Sequence, residues 1–166
     1  MRKKEIIRVK KGLYTSGKNQ NLPVLANLIY GPSYISKEMA LSLYGMIPER
    51  VYEVTSMTVG KTKKFETPVS RFSYQHLSLP YYSEGIIRWS VENQIGFLIA
   101  SKEKAICDLI YSKNIVELEK MAEFLREMRI EREELRKLKP FVLKKLANLS
   151  RRSSLELLAN YLEKNR

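Results

Sequence analysis

A single aspartate, a single histidine and a single cysteine occur in the sequence: Asp108, His76 and Cys107. Each scarcity removes a class of chemistry. One thiol cannot close an internal disulfide, which suits a reducing, cytoplasmic setting. One His and one Cys, far apart in the chain, lack the ligand spacings of zinc sites. Metal-dependent cleavage of a phosphodiester needs two or more carboxylates converging on a hard cation. Glu53 and Glu66 fall near expected strand ends, but no strand carries a carboxylate followed two residues later by lysine. The seven glycines are scattered and form no phosphate-cradling loop. No run approaches the roughly 18 apolar residues of a membrane helix. Residues 1–11 are basic with no apolar run behind them, so no secretion signal and no membrane partner are expected. No catalytic residue, metal or cofactor is expected.

What the sequence has in excess is positive charge. Thirty Lys and Arg oppose eighteen Asp and Glu, a net charge of +12, above the magnitude of about 2–8 usual for a small domain. Such a field favours polyanions, DNA or RNA, or an acidic protein face. Three clusters carry it. The first is Arg2, Lys3, Lys4, Arg8, Lys10 and Lys11; the second is Lys61, Lys63 and Lys64. The third lies at the junctions of the late helices, with Lys137 and Lys139 followed by Lys144, Lys145, Arg151 and Arg152. Each cluster alone reads equally well as a solvated face or as a phosphate-contacting surface. The ten tyrosines offer stacking platforms for bases, although more of them suit the core.

Along the chain, Ile6, Ile7 and Val9 predict a strand, and Gly12 a turn before Leu13–Thr15. Residues 16–23 read as loop, and residues 24–30 as a short helix using Leu25, Leu28 and Ile29 and ending at Gly31-Pro32. Ser36 predicts an N-cap for a helix whose apolar stripe is Met39, Ala40, Leu43 and Tyr44. Gly45 and Pro48 end it. Residues 51–59 read as a strand, 60–64 as a basic turn or extended loop, and 69–77 as a strand with Phe72, Tyr74 and His76 on one face. Further strands are predicted at 85–89 and 94–99. From Ser101 the apolar period turns helical, with Ser101, Pro140 and Ser153 or Ser154 as helix starts. The expectation is an α+β fold. Its mostly antiparallel sheet lies within about residues 50–99, and a C-terminal helical segment of four or five helices follows. Cys107, among Ala105, Ile106, Leu109 and Ile110, is expected to be a buried inert thiol.

The segments "PSYIS", "YGMIPERVYEVTS", "F-x-Y-x-H" and "KEKAICDLIY" stand in a recognisable order. Together with the stretch "TVGKTKKFETPVS" between them, they resemble the AbiEi-type antitoxins, transcriptional regulators of bacterial abortive-infection operons, over about residues 5–113. The resemblance implies a winged-helix DNA-binding part followed by an antitoxin domain. It also implies a nucleotidyltransferase-like toxin as the functional partner, in a type IV system where stable contact between the two is not required. "IIRVKKGLYTSG" is similar to the wing strand of that family; the helices that precede it there have no counterpart in this sequence. The organisation so implied is a wing-hairpin remnant at 1–15, an antitoxin core at 16–113 and a helical segment at 114–166. Within the core, Tyr34, Pro48, Glu49 and Arg50 read either as a shaped surface or as a packed turn with its charges in solvent. Two functions stand against each other. One is a non-catalytic regulator that touches nucleic acid through its basic clusters. The other is a nucleic-acid-processing enzyme or accessory RNA-binding module.

Overall fold

A computed structural model describes residues 6–16, 20–90 and 95–165. Arg2, Lys3 and Lys4, named above as candidate contacts, lie outside the described residues. Strands β1 (Ile6–Lys10) and β2 (Leu13–Ser16) form an antiparallel hairpin turning at Lys11 and Gly12. The register shifts between Arg8 and Lys10, an irregularity in the ladder. Alternation puts Val9 in the core and leaves Ile6, Arg8 and Tyr14 exposed.

The main sheet has six strands. They are β3 (Ser33–Ile35), β4 (Glu53–Thr58), β5 (Lys63–Glu66), β6 (Arg71–His76), β7 (Ile86–Trp89) and β8 (Phe97–Ala100). Their order is β5-β6-β4-β3-β8-β7. The β5–β6, β3–β4 and β7–β8 pairs are antiparallel, and β4–β6 and β3–β8 are parallel. The α+β expectation holds, with a mixed and mostly antiparallel sheet.

Two strands were not expected. Residues 33–35 read as turn because three residues between a proline and a helix cap carry no visible period; β3 is nevertheless central and wholly buried. Basic residues at 63 and 64 masked β5, an edge strand whose lysines face solvent. Charged side chains on an edge are a common guard against unwanted strand pairing.

Helix α1 (Leu22–Ile29) is capped by the Asn21 side chain, which accepts from the Val24 N–H at 3.2 Å. It buries Leu25, Ala26 and Ile29, while Leu28 is exposed, so the stripe sits one residue away from the expected one. Helix α2 (Lys37–Leu43) buries Ala40 and Leu41, and Leu43 points outward. Gly45, at φ 68, supplies the left-handed C-terminal residue that stops it.

Cross-strand partners share a face of the sheet. Ile35, Ser56 and Tyr74 form one such row, and Tyr74 donates from its hydroxyl to the Ala26 carbonyl at 2.6 Å. That row therefore faces α1. Tyr34 and Met57 belong to the opposite face, which α2 and α4 (Lys102–Tyr111) cover. Ser101 caps α4 as expected, accepting from the Lys104 N–H at 3.2 Å.

A short helix, α3 (Leu79–Tyr82), follows the sheet's β6. After α4 come α5 (Leu118–Glu127), α6 (Arg132–Arg136), α7 (Pro140–Ser150) and α8 (Ser153–Lys164). Pro140 occupies the first turn of α7, whereas the N-cap position of α8 is Arg152 rather than a serine. Helices α7 and α8 pack on each other and on α4, burying Leu143, Leu146, Leu155 and Leu158.

The Tyr74 hydroxyl bond joins sheet to helix across 48 residues of chain. Tyr74→Phe keeps the ring and orphans the Ala26 carbonyl. Its unfolding free energy should fall by about 1–2 kcal/mol, read from denaturant midpoints at unchanged slope.

Candidate nucleic-acid interface

The first two basic clusters meet in space. Lys10 donates from Nζ to the Ile29 carbonyl at the C-terminal end of α1, where a helix dipole favours a cation. The next residue, Tyr30, receives the second cluster: Lys63 Nζ stands 4.8 Å from its ring centroid. Tyr30 also packs edge-on against Tyr74, at 5.3 Å, and beside Phe65, at 6.0 Å. A Cβ on Gly60 would come within 2.5 Å of the Tyr30 hydroxyl, so the loop before β5 closes tightly on this ring. His76 fastens the same loop: its ring Nδ1 is 2.9 Å from the Gly60 carbonyl, and its backbone N–H donates to Thr62 Oγ1 at 3.1 Å. His76 thus has a loop-holding role.

The result is one surface built from two stretches about fifty residues apart in sequence. Arg8, Lys10, Lys11, Lys61 and Lys63 are exposed; Lys64 is exposed too, but its row with Ser73 and Thr55 lies on the opposite face of the sheet from Lys63 and Tyr74. Arg8 lies opposite Tyr14 in the hairpin ladder, with Tyr14 57% exposed. A guanidinium beside an open aromatic ring is a pairing that suits phosphate contact next to base stacking.

The third cluster is differently placed. Lys144 pairs with Glu163 at 2.8 Å and Lys145 with Glu84 at 2.9 Å. Arg152 lies over the Tyr111 ring at 4.7 Å, and Arg151 is the left-handed residue that ends α7. Lys144 and Lys145 are thus already neutralised by carboxylates.

Sequence reasoning missed the centre of the molecule. Lys104 and Asp108 are both fully buried and form an ion pair at 3.2 Å, four residues apart on α4. Lys104 also donates to the Tyr81 carbonyl at 2.7 Å, and its Nζ is 3.1 Å from the Tyr81 ring centroid. Asp108 Oδ2 accepts from the Tyr34 hydroxyl at 2.9 Å and from Ser36 Oγ at 2.6 Å. Two readings are corrected here. Tyr34 shapes no surface, because its side chain is wholly buried. Ser36 stands at the N-cap position of α2 without a side-chain capping bond, since its hydroxyl serves Asp108.

A legible signal existed: a lysine four residues before the chain's one aspartate, within an otherwise apolar helix. Lys before Asp is the weaker orientation for such a pair, so tertiary contacts hold it together. Burial pushes the Lys104 ammonium below its ordinary range, opposed by the Asp108 charge. Burial pushes the Tyr34 and Tyr81 phenols well above theirs, with Asp108 adding to the effect. The Cys107 thiol is likewise raised by burial, which makes it inert.

No protein-family model matches the chain, and no curated protein matches it.

Removing one member of the buried pair strands the other. Asp108→Asn and Lys104→Met should each cost about 3–5 kcal/mol, and the double variant clearly less than their sum; a double-mutant cycle in denaturant reads this. Gly85, at φ 77, lies against the lysine stem, and a Cβ there would sit 2.9 Å from Lys104 Cβ. Gly85→Ala should destabilise by at least about 1 kcal/mol.

The tyrosines set the alkaline limit. Tyr44, buried and donating to the Ala100 carbonyl, titrates at about 12 in the folded chain, against about 10 unfolded. A raised folded pKa stabilises fully below about pH 10 and is lost as pH climbs to about 12. Tyr34, Tyr74 and Tyr81 are shifted in the same direction. Lys104 has the opposite sign, because an unfolded lysine keeps its proton to higher pH. Four phenols outweigh one amine, so stability should fall above about pH 10, with phenolate absorbance rising together with loss of ellipticity.

Proposed function

We propose that the chain is a non-catalytic regulator of the AbiEi antitoxin kind. In this reading it acts in the cytoplasm, counteracts a nucleotidyltransferase-like toxin and contacts nucleic acid through the surface formed by β1, β2 and the β5 loop. The observation that carries the nucleic-acid part is the convergence of Lys10 and Lys63 on the end of α1, with Arg8, Tyr14, Lys11 and Lys61 exposed nearby. The likeness of "YGMIPERVYEVTS" and "KEKAICDLIY" to those antitoxins supports the regulatory part. The non-catalytic part is supported by the state of the one aspartate, whose carboxylate is buried in contacts with Lys104, Tyr34 and Ser36. Among the described residues no group of three His, Cys, Asp or Glu side chains converges as a metal site would require.

Contact of this kind is mainly electrostatic, and its selectivity among sequences is weak, because phosphates carry no sequence information. Affinity for a duplex or single strand should fall steeply with salt. Replacing Arg8, Lys10, Lys11, Lys61 and Lys63 by Ala should flatten the log–log salt dependence by about 0.7–0.9 for each phosphate that is no longer neutralised. Replacing Lys144, Lys145, Arg151 and Arg152 should flatten it much less. An equal effect from the late cluster would move the interface there. Co-expression of this chain with a nucleotidyltransferase-like toxin from the adjacent reading frame is the test: growth should be restored, and growth unrestored, or no such toxin there, removes the antitoxin reading. Hydrolysis of nucleic acid by purified protein would instead favour the enzyme alternative.

A further inference from the structure

A groove of about 630 Å³ lies over the β4–β6–β5 side of the sheet, away from the basic hairpin's contact with α1. Its size falls in the range of small-molecule sites, and most of its lining side chains carry a charged or hydrogen-bonding group. Thr55, Ser73 and Lys64 form one cross-strand row along its floor. Lys37 and Glu38, at the start of α2, make one wall, and Tyr52 stands at the rim.

Several features point to a ligand. Lys37 adopts φ 58, a left-handed backbone that residues other than glycine rarely take. Such outliers concentrate at binding sites, and here the outlier delivers an ammonium across the groove to Gln75 Oε1 at 3.4 Å. That hydrogen bond is long and its acceptor is neutral. Lys64 has no hydrogen-bond or ion-pair partner among the described residues, in contrast to Lys102, Lys104, Lys144 and Lys145. Glu38 Oε2 is buried with no hydrogen-bond partner, a state that calls for an explanation. Tyr52 is 71% exposed, with the Arg50 guanidinium 5.6 Å from its ring centroid.

We infer that this groove binds a nucleoside phosphate. Lys37 and Lys64 are suited to the phosphate, each as a compact point charge. The Glu38 carboxylate accepts from ribose hydroxyls, the role an acidic residue takes in dinucleotide-binding folds. Tyr52 stacks on the base, an interaction that tolerates different bases. A ligand of this class uses both charge signs of the lining at once, which a simple anion does not. The inference stands on the groove and needs no ligand at the hairpin surface, with Lys63 the one lysine that borders both.

Isothermal titration with adenosine and guanosine monophosphates, ribose 5-phosphate, inorganic phosphate, adenosine and a short single strand tests it. The monophosphates should bind, and phosphate or adenosine alone should bind far more weakly. Lys64→Ala and Lys37→Gly should each weaken binding at least about tenfold. Lys37→Gly also suits the left-handed backbone, so its folding is not at risk. Tyr52→Ala should weaken the nucleotides and leave ribose 5-phosphate unchanged. Amide shifts on titration should fall at residues 37, 52, 64 and 73. No binding by any monophosphate, binding unchanged in the lysine variants, ribose 5-phosphate equal to the nucleotides, or binding by the single strand alone overturns the inference.

Discussion

A charged pair with no access to water governs how this chain is assembled. Taking the Lys104 ammonium and the Asp108 carboxylate out of water is costly, and their attraction offsets that cost only when the remaining donors and acceptors are also met. The partners come from separate places in the chain. Tyr34 belongs to β3, Ser36 precedes α2, and the Tyr81 carbonyl comes from α3. Fixing one pair of charges therefore fixes four elements relative to one another. The arrangement extends further through rings. Tyr81 stacks on Tyr111 at 5.0 Å and 12°, and Tyr111 lies under Arg152 at the start of α8. A buried ammonium and a surface guanidinium thus bracket two aromatic rings, and the C-terminal helices join the same network.

The net charge of +12 conceals a division of labour. In the late helices, cations meet carboxylates across elements, as in Lys102 with Glu134 at 3.2 Å and Lys145 with Glu84 at 2.9 Å. There they act as connectors between packed helices. In the hairpin and around β5 the cations meet carbonyls, rings or nothing. Lys10 and Lys63 fold back onto α1 while staying exposed. Clusters that look alike as strings of letters differ in how much field they leave in solvent.

Much of the fold was legible where local signals are strong. The change of period at Ser101, the cap at Ser101, Pro140 in a first turn and the stop at Gly45 all rest on interactions within a few residues. The failures share a cause. A three-residue central strand such as β3 is too short for any period, and β5 carries lysines because it is an edge. Ser36 and Tyr34 were misjudged because their hydroxyls answer to an aspartate more than seventy residues away. The basic clusters were visible one by one, but neither their meeting at Tyr30 nor the groove beside Lys37 could be seen, since both depend on the β5–β6–β4 order.

The close approach of Gly85 to the Lys104 stem and the buried ion pair set different rules for three positions. A β-carbon at 85 would meet the Cβ of residue 104, which every residue but glycine carries, and φ 77 favours glycine there whatever stands at 104. A different side chain at 104 leaves the aspartate at 108 without its counter-ion. Sequences sharing this fold should then keep glycine at 85 and divide into two groups at 104 and 108: lysine and aspartate together, or both exchanged for an uncharged pair. Intermediates between the groups pass through a buried unpaired charge. Drift across that gap is slow, so positions 104 and 108 mark descent more durably than the surface lysines do.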